Sequence, residues 1–264
     1  MAFMNKKNLT KNPFCNKYIT VAIIAIALAI IFFVGIAKNT SVASSESKTD
    51  VEKVIANWIA NNPEAILESV QNMQRKAMED QKKNAQKNIS VKKNELFNDK
   101  NSPEKSSKNY DVSIVEFFDY SCGYCKKSAK TVERIIKSDK KVRFIHKHFP
   151  ILGQPSQEMS QVALAIHISQ PKYYFDFHNE LMKSPARGKK AALDVAKKVG
   201  ADVAKIEKTL EDKKKEIQSM IDDNLELGSS VGVTGTPGFV IGEELIPGAI
   251  SFDSFKKKIA EARN

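Results

Sequence analysis

Two cysteines three residues apart, Cys122 and Cys125, are the residues of this sequence best suited to chemistry. They directly follow an apolar, β-branched and aromatic run, residues 112–118, which predicts a buried strand. Apolar residues at helical spacing over residues 128–136 predict a helix. Both thiols then fall on the first turn of this helix, where a pair at i and i+3 can close a small disulfide ring. This placement predicts thiol–disulfide exchange.

The position of Cys122 at the helix N-terminus predicts that it is the exposed, attacking thiolate. Free N–H groups and the helix dipole stabilise negative charge there. The dipole is worth about 0.3–1 kcal/mol, rarely about 2, and one pKa unit is about 1.4 kcal/mol, so the dipole alone lowers the thiol pKa by about one unit. A strongly acidic thiol needs direct N–H···S contacts as well. Cys125 lies one turn further in, and we expect it to be the buried resolving thiol.

Two other interpretations of the cysteine pair remain open at this level. A structural zinc site takes four ligands, often from two such pairs. The sequence has no second pair, although His146 and His148 on a predicted strand could complete a site. We expect instead that one of these histidines faces the core rim and the other faces solvent. A purely structural disulfide across so short a loop would constrain the unfolded chain little.

The N-terminal segment predicts export. Its first 43 residues contain five lysines and no acidic residue, and an apolar run covers residues 19–34. As a helix this run is about 24 Å long, which is short for a bilayer core of about 30 Å and long for the apolar part of a signal peptide. Small side chains at Ser41 and Ala43 allow cleavage after Ala43. We therefore predict a cleaved signal peptide or a signal anchor over residues 1–43, with residues 44–264 outside the cytoplasm.

Composition narrows the classes of function. The chain has three cysteines, and the exported part keeps only the pair, whereas a secreted domain stabilised by disulfides would have more. The net charge is +11, but lysines are mixed with acidic residues and no arginine–aromatic stripe stands out. This argues against nucleic-acid binding. No phosphate-binding loop or other nucleophile constellation is present, and we predict neither a cofactor nor a resident metal.

The region after the predicted cleavage site forms an N-terminal helical segment, residues 44–95. Helices are predicted over residues 51–60 and from residue 62 to about residue 88. The second begins at Asn62-Pro63-Glu64, with a capping residue, a proline at the first helical position and an acid in the first turn. Apolar side chains form one stripe along both helices. Such a stripe either packs on its own domain or pairs with further copies of the chain, and we favour self-association.

The remaining chain, residues 96–264, predicts one α/β domain. The expected elements are a short strand at residues 96–97, a loop at 101–108, a strand at 142–149, helices over about 151–228, a hairpin at 239–246 and a helix at 252–262. Thr236–Pro237 lies just before the hairpin. In an exported domain with a C-x-x-C pair, a proline at this position predicts a cis peptide bond, because a cis bond there exposes backbone groups that extended peptides can pair with.

The order of elements resembles that of the DsbA-like thiol:disulfide oxidoreductases. It consists of a strand, Cys122-Gly123-Tyr124-Cys125, a helix, a long helical insertion, Gly-Thr-Pro and a hairpin. The resemblance covers residues 109–262. It implies a thioredoxin fold with an inserted helical subdomain, preceded by an N-terminal helical segment. Residues 51–88 resemble the N-terminal segment of the ScsC and Com1-type branch, which in some members assembles the protein as trimers.

The resemblance also implies roles for individual residues. Cys122 matches the attacking cysteine and Cys125 its partner in a redox-active disulfide. Thr236 and Pro237 match the cis-proline loop that faces this disulfide and binds substrate. Glu116 matches the buried acid near the active site of the family, which could help to move the proton of Cys125. A core glutamate at a strand end would give the same sequence pattern.

The residues between the cysteines depart from the strongly oxidising members of the family. Gly123 and Tyr124, which tune the reduction potential, stand where those proteins have Pro-His and resemble the pair of disulfide isomerases. The implied function is a periplasmic thiol:disulfide oxidoreductase that forms or reshuffles disulfides in exported proteins. Its implied partners are cysteine-containing exported proteins, a membrane redox partner and further copies of the chain, with no nucleic acid. A copper or zinc carrier and a non-redox peptide-binding chaperone on the same fold remain alternatives.

Overall fold

The structure, a computed structural model, describes residues 48–185 and 187–263. The predicted signal segment, residues 1–43, lies outside them. The chain divides into two compact units after Gln74. Within the described ranges, no helix is long and apolar enough to cross a membrane.

The first unit contains helix α1, residues 48–61, and the start of helix α2, Pro63–Val91. The predicted helix start is confirmed: Pro63 is the first residue of α2 and Glu64 lies in its first turn. Among residues 48–74, the described part of this unit, the large apolar side chains are exposed in the single chain, from 39% for Val70 to 69% for Val54. In this described part they are Val51, Val54, Ile55, Trp58, Ile59, Ile66, Leu67, Val70 and Met73.

The second unit is built on a five-stranded sheet with the order β1-β3-β2-β4-β5. Strands β2 and β3 are parallel, and the other neighbouring pairs are antiparallel. The strands are β1 (Glu104–Lys105), β2 (Val112–Phe118), β3 (Val142–His148), β4 (Gly238–Ile241) and β5 (Glu244–Pro247).

Helices cover the sheet and fill the connection from β3 to β4. Helix α3 (Lys93–Phe97) precedes the sheet, α4 (Gly123–Ser138) joins β2 to β3, and α10 (Phe252–Arg263) ends the chain. The insertion holds α5 (Gln154–Ser169), a 3-10 turn (Pro171–Tyr173), α6 (Tyr174–Lys183), α7 (Gly188–Lys198), α8 (Val203–Asp212) and α9 (Lys214–Ser230). The predicted fold class, a thioredoxin fold with a helical insertion behind an N-terminal helical segment, is confirmed.

Two local predictions were wrong. Leu96 and Phe97 form the end of helix α3 and not a strand, and both side chains are buried. Two apolar residues cannot establish a period, so they fit a helical turn as well as a strand. Residues 104–105, predicted as loop, form β1 because Glu104 and Lys105 pair with Ile145 and Phe144 of β3.

The two faces of the sheet have separate cores. Side chains alternate along a strand, so Ile114 and Phe144 pack with the residues of α4 and α10. Val115 and Ile145 pack on the other face with Leu96 and Phe97. This alternation sends residues 116 and 118 of β2, and residues 146 and 148 of β3, to the face covered by α4.

Candidate active site

A turn held by Asp119 carries the chain from β2 into α4. The Asp119 side chain is fully buried. Its Oδ1 accepts from the Ser121 N–H at 2.7 Å and its Oδ2 from the Leu152 N–H at 3.0 Å. The Asp119 carbonyl accepts from the Cys122 N–H at 3.0 Å. Asp119 therefore positions the first cysteine, a role that the sequence analysis missed although an aspartate directly before a turn is a usual signal for one.

Both cysteines are free thiols at the start of α4. Cys125 is fully buried, as predicted, but Cys122 retains only 6% exposure, less than predicted. Its Sγ lies against the loop before β4, 3.2 Å from the Thr236 carbonyl oxygen, to which it donates when it is protonated. The Cys125 N–H donates to the Cys122 Sγ at 3.4 Å. The first sulfur therefore has partners from both its own helix and a distant loop.

These contacts make Cys122 an acidic thiol. The pKa of Cys122 falls to about 5, chiefly because the Cys125 thiol donates to the Cys122 sulfur. Burial opposes this shift by raising the pKa. The Thr236 side chain and the N–H groups of Cys125 and Tyr124 lower the pKa further. The shift is larger than a helix dipole alone provides, so direct donors to the sulfur carry most of it. At neutral pH the Cys122 sulfur is a thiolate, which is the nucleophilic form.

Cys125 has the opposite character. Burial raises its pKa well above the ordinary range, and the neighbouring Cys122 and Glu116 charges raise it further. The Cys125 thiol therefore keeps its proton while Cys122 is a thiolate. The two sulfurs differ because one meets hydrogen-bond donors and the other meets an apolar interior.

The loop before β4 faces the dithiol. The cis peptide predicted at Thr236–Pro237 is confirmed, and Pro237 is buried. The Pro237 carbonyl accepts from the Gly248 N–H at 2.8 Å, which ties the loop to the end of the hairpin.

The two residues between the cysteines point outward. Tyr124 is 65% exposed, and the Lys127 Nζ lies 5.4 Å from its ring centroid. A side chain added at Gly123 would meet no atom within 4 Å. Tyr124 therefore offers an apolar surface directly beside the thiolate.

Glu116 lies beneath the dithiol on β2 and is 2% exposed. Burial raises its pKa to about 8, with a further contribution from the Cys122 charge. Its Oε2 is 4.0 Å from the Nε2 of His146, its register partner on β3. A carboxyl with this pKa exchanges its proton near neutral pH, so it can act as an acid or a base there.

The prediction for His146 and His148 was wrong, because both are buried, at 2% and 0% exposure. Residues i and i+2 of a strand share one face, so both imidazoles enter the α4 side of the sheet. There they meet His178 of α6, which is also buried. The His148 Nε2 is 2.9 Å from the Tyr174 hydroxyl, and the His178 Nδ1 is 3.2 Å from the Tyr120 hydroxyl. Burial lowers the pKa of all three histidines, so they are neutral at physiological pH.

This histidine–tyrosine cluster was missed at the sequence level. Its signals were two histidines at strand spacing and an aromatic helix around His178. Across the described ranges, no group of three or more His, Cys, Asp or Glu side chains is arranged to hold a metal ion.

A dithiol at the start of a helix, facing the Thr236–Pro237 loop on this sheet, defines the class of thioredoxin-fold dithiol proteins. The sequence matches the DsbA-like thioredoxin domain over residues 113–260, more than half of the chain. The chain therefore belongs to the DsbA-like family of thiol:disulfide oxidoreductases.

Solved structures extend this similarity. The thiol-disulfide exchange protein α-DsbA2 from Wolbachia pipientis is 31% identical, with a TM-score of 0.64 over 67% of this chain and 95% of that one. A thioredoxin-like oxidoreductase from Silicibacter pomeroyi is 32% identical, with a TM-score of 0.61 over 64% and 96%. A linker-deletion variant of ScsC from Proteus mirabilis is 25% identical, with a TM-score of 0.60 over 81% and 94%. No curated protein sequence matches the chain.

The pKa of Cys122 gives a first testable expectation. Alkylation of Cys122 by iodoacetamide should rise with pH around a midpoint of about 5, whereas an ordinary thiol reacts with a midpoint of about 8.5. Thr236→Val removes a donor to the sulfur, so its midpoint should move to higher pH. Thr234→Val, at an exposed position of the same loop, is the matched control. Equal midpoints in Thr236→Val and the unaltered protein would show that the hydroxyl does not stabilise the thiolate.

The lowered pKa of Cys122 also makes the stability of the reduced fold depend on pH. The folded-state pKa of Cys122, about 5, lies below the value of an unfolded thiol. The thiolate therefore stabilises the reduced fold at high pH, and this stabilisation is lost as the pH falls through about 5. The disulfide form has no such ionisation, so this effect favours the reduced form near neutral pH.

Proposed function

We propose that this protein forms or reshuffles disulfide bonds in exported proteins, with Cys122 as the nucleophile and Cys125 as the resolving cysteine. The observation that carries the proposal is the contrast between the two sulfurs. Cys122 has a pKa of about 5 and lies beside Thr236, whereas Cys125 is fully buried and protonated. An acidic attacking thiol next to a buried partner is the arrangement that thiol–disulfide exchange requires.

In the oxidising direction, a client thiolate attacks the Cys122 sulfur of the Cys122–Cys125 disulfide. The new bond joins client and Cys122, and Cys125 leaves as a thiolate that takes up a proton. A second client thiolate then attacks the client sulfur of this mixed disulfide, and Cys122 leaves as a stable thiolate. The client loses two electrons and the dithiol gains them.

In the isomerising direction, the Cys122 thiolate attacks a wrong client disulfide. The client either rearranges while attached or is released when Cys125 attacks the Cys122 sulfur. Thr236, Pro237 and the exposed Tyr124 ring surround the reacting sulfur, so they are the surface that the client segment contacts. Gly123 and Tyr124 set the balance between the directions, because substitutions there change the surroundings of both sulfurs.

Glu116 links client binding to the protonation of Cys125. Burial, with a further contribution from the Cys122 charge, raises the pKa of Glu116 to about 8, so the carboxyl holds a proton while Cys122 is a free thiolate. A client bound to Cys122 removes that charge. The pKa of Glu116 then loses the contribution of that charge, which favours its carboxylate as a base for Cys125 at the moment when Cys125 must attack.

The compartment and the partners follow from the same chemistry. The predicted export segment places residues 44–264 in the periplasm, where disulfides persist. The clients are exported proteins with cysteines, and a membrane redox partner resets the dithiol after each cycle. The exposed apolar stripe of α1 and α2 pairs with further copies of the chain, which would place several dithiols around one client.

Scrambled and reduced ribonuclease test the function directly. In a redox buffer, the purified protein should reactivate scrambled ribonuclease if it acts as an isomerase, and it should oxidise reduced ribonuclease if it acts as an oxidase. Either activity should depend on Cys122. Failure in both assays, with a folded protein, would overturn the proposed function.

A further inference from the structure

A second cavity, of about 380 Å³, lies away from the dithiol. Lys147 of β3 lines it, and alternation along the strand turns this side chain to the face opposite its neighbours His146 and His148. The other lining residues come from α3 and its flanks, from residues 99–103, from α5 and from α9. Neither cysteine lines the cavity. Its volume is within the range of small-molecule sites, about 300–1,000 Å³.

Two buried polar side chains of this cavity have hydrogen-bonding groups without partners. Lys147 is 1% exposed, and its Nζ donates to the Asp99 Oδ2 at 2.6 Å. An ammonium has three N–H donors, and Asp99 accepts one of them. Asn224 of α9 is 6% exposed, and its amide makes no hydrogen bond with any residue that the structure describes. Buried donors are costly when unpaired, so the buried end of the cavity suits a bound molecule that accepts hydrogen bonds.

The outer part of the cavity is acidic. Asp223 and Glu226 line it and are exposed on α9, and residues at i and i+3 lie on the same side of a helix. Among the described residues, neither carboxylate forms an ion pair, and the Ser219 hydroxyl donates to Asp223 only at 3.5 Å. The rim of the cavity is therefore suited to a positive charge.

We propose that this cavity binds a small zwitterion of the amino-acid class. The ligand carboxylate accepts from Lys147 and Asn224 at the buried end, and the ligand ammonium donates to Asp223 and Glu226 at the rim. The apolar lining receives an aliphatic side chain, and it consists chiefly of Leu164, Met220 and Leu227. This binding site goes beyond the proposed function and does not depend on it.

The charges around the cavity favour a zwitterion over either ion alone. Two lysines and four carboxylates line it, a formal balance of two negative charges. This excess repels a simple anion. A simple cation pairs with the rim but leaves the buried donors of Lys147 and Asn224 unpaired. A zwitterion presents the opposite charge to each end, and both ends then form charge-assisted hydrogen bonds.

L-Leucine is the probe, because its side chain matches the apolar lining. Two analogues with the same side chain separate the two charges: isoamylamine lacks the carboxylate, and isocaproate lacks the ammonium. Equilibrium dialysis of the purified protein with radiolabelled L-leucine should show saturable binding of one molecule per chain. Each analogue should compete at least about tenfold more weakly than unlabelled L-leucine, a difference of about 1.4 kcal/mol.

Substitutions on α9 test the two ends separately. Asn224→Leu removes the buried amide at similar volume and should weaken the binding of L-leucine about tenfold, because a hydrogen bond to a charged group is lost. Asp223→Asn removes a rim charge, so it should weaken binding and narrow the difference between L-leucine and isocaproate. Asp222→Asn is the matched control, since Asp222 is the adjacent exposed acid of the same helix and does not line the cavity.

The control should bind L-leucine as the unaltered protein does. The site is wrong if L-leucine shows no saturable binding, or if either analogue competes as well as L-leucine. It is also wrong if Asp222→Asn weakens binding as much as Asp223→Asn, or if Asn224→Leu leaves the affinity unchanged. Asp223 is exposed, so its variant keeps the test decisive even where Asn224→Leu fails to fold. Disulfide exchange takes no part in these measurements, and their failure would leave the proposed function standing.

Discussion

Cys122→Ser should reduce disulfide exchange to the rate of the redox buffer alone, whereas Cys125→Ser should accumulate mixed disulfides with client proteins. A serine hydroxyl is not ionised at neutral pH, so the first variant has no nucleophile. The second keeps the Cys122 thiolate but cannot release a client by internal attack. Reactivation of ribonuclease measures the first loss, and non-reducing gels with mass spectrometry measure the trapped complexes.

The hydrogen bond between the cysteines sharpens this experiment. Donation from the Cys125 thiol is the main cause of the low pKa of Cys122. Cys125→Ser keeps a donor, so the alkylation midpoint of Cys122 should stay near 5. Cys125→Ala removes the donor, so the midpoint should rise. Exchange that persists in Cys122→Ser, or client complexes that form through Cys125 alone, would reverse the assigned order of attack.

The second large effect concerns the exposed apolar face of α1 and α2. Within residues 48–74, nine large apolar side chains are exposed in the single chain, and burying one such side chain fully is worth about 1.5–3 kcal/mol. If copies of the chain pair through this face, Val54→Asp combined with Leu67→Asp should place charges in the interface. The mass measured by light scattering should then fall to that of one chain.

The loss of assembly should also separate the two activities. A monomer keeps its dithiol, so oxidation of reduced ribonuclease should continue, while reactivation of scrambled ribonuclease should drop. Asn72→Asp is the matched control, because Asn72 lies two residues, about 200°, after Val70 on α2 and so on the opposite side of the helix. A single-chain mass for the unaltered protein, or an unchanged mass in the double variant, would refute self-association through this face.

Local sequence was sufficient for the parts of the site that are close together in the chain. Cys122 and Cys125 could be placed on the first turn of a helix because a strand pattern and a helix pattern flank them directly. The start of α2 at Pro63 was likewise predicted from its immediate neighbours, Asn62 and Glu64. The pair Leu96 and Phe97 was too short to establish a period, and its helical state follows from packing below β2.

The chemistry of the sulfurs was decided by contacts between distant parts of the chain. Thr236 reaches Cys122 across 114 residues, and the parallel pairing of β2 with β3 sets Glu116 beside His146.

The sequence by itself thus predicted which residues react and determined which helix presents them, because those features depend on neighbours a few positions apart. The tertiary structure decided how acidic Cys122 is, at which pH Glu116 exchanges its proton and which histidines are buried. Those properties depend on burial and on partners that only the folded sheet and its helical insertion bring together.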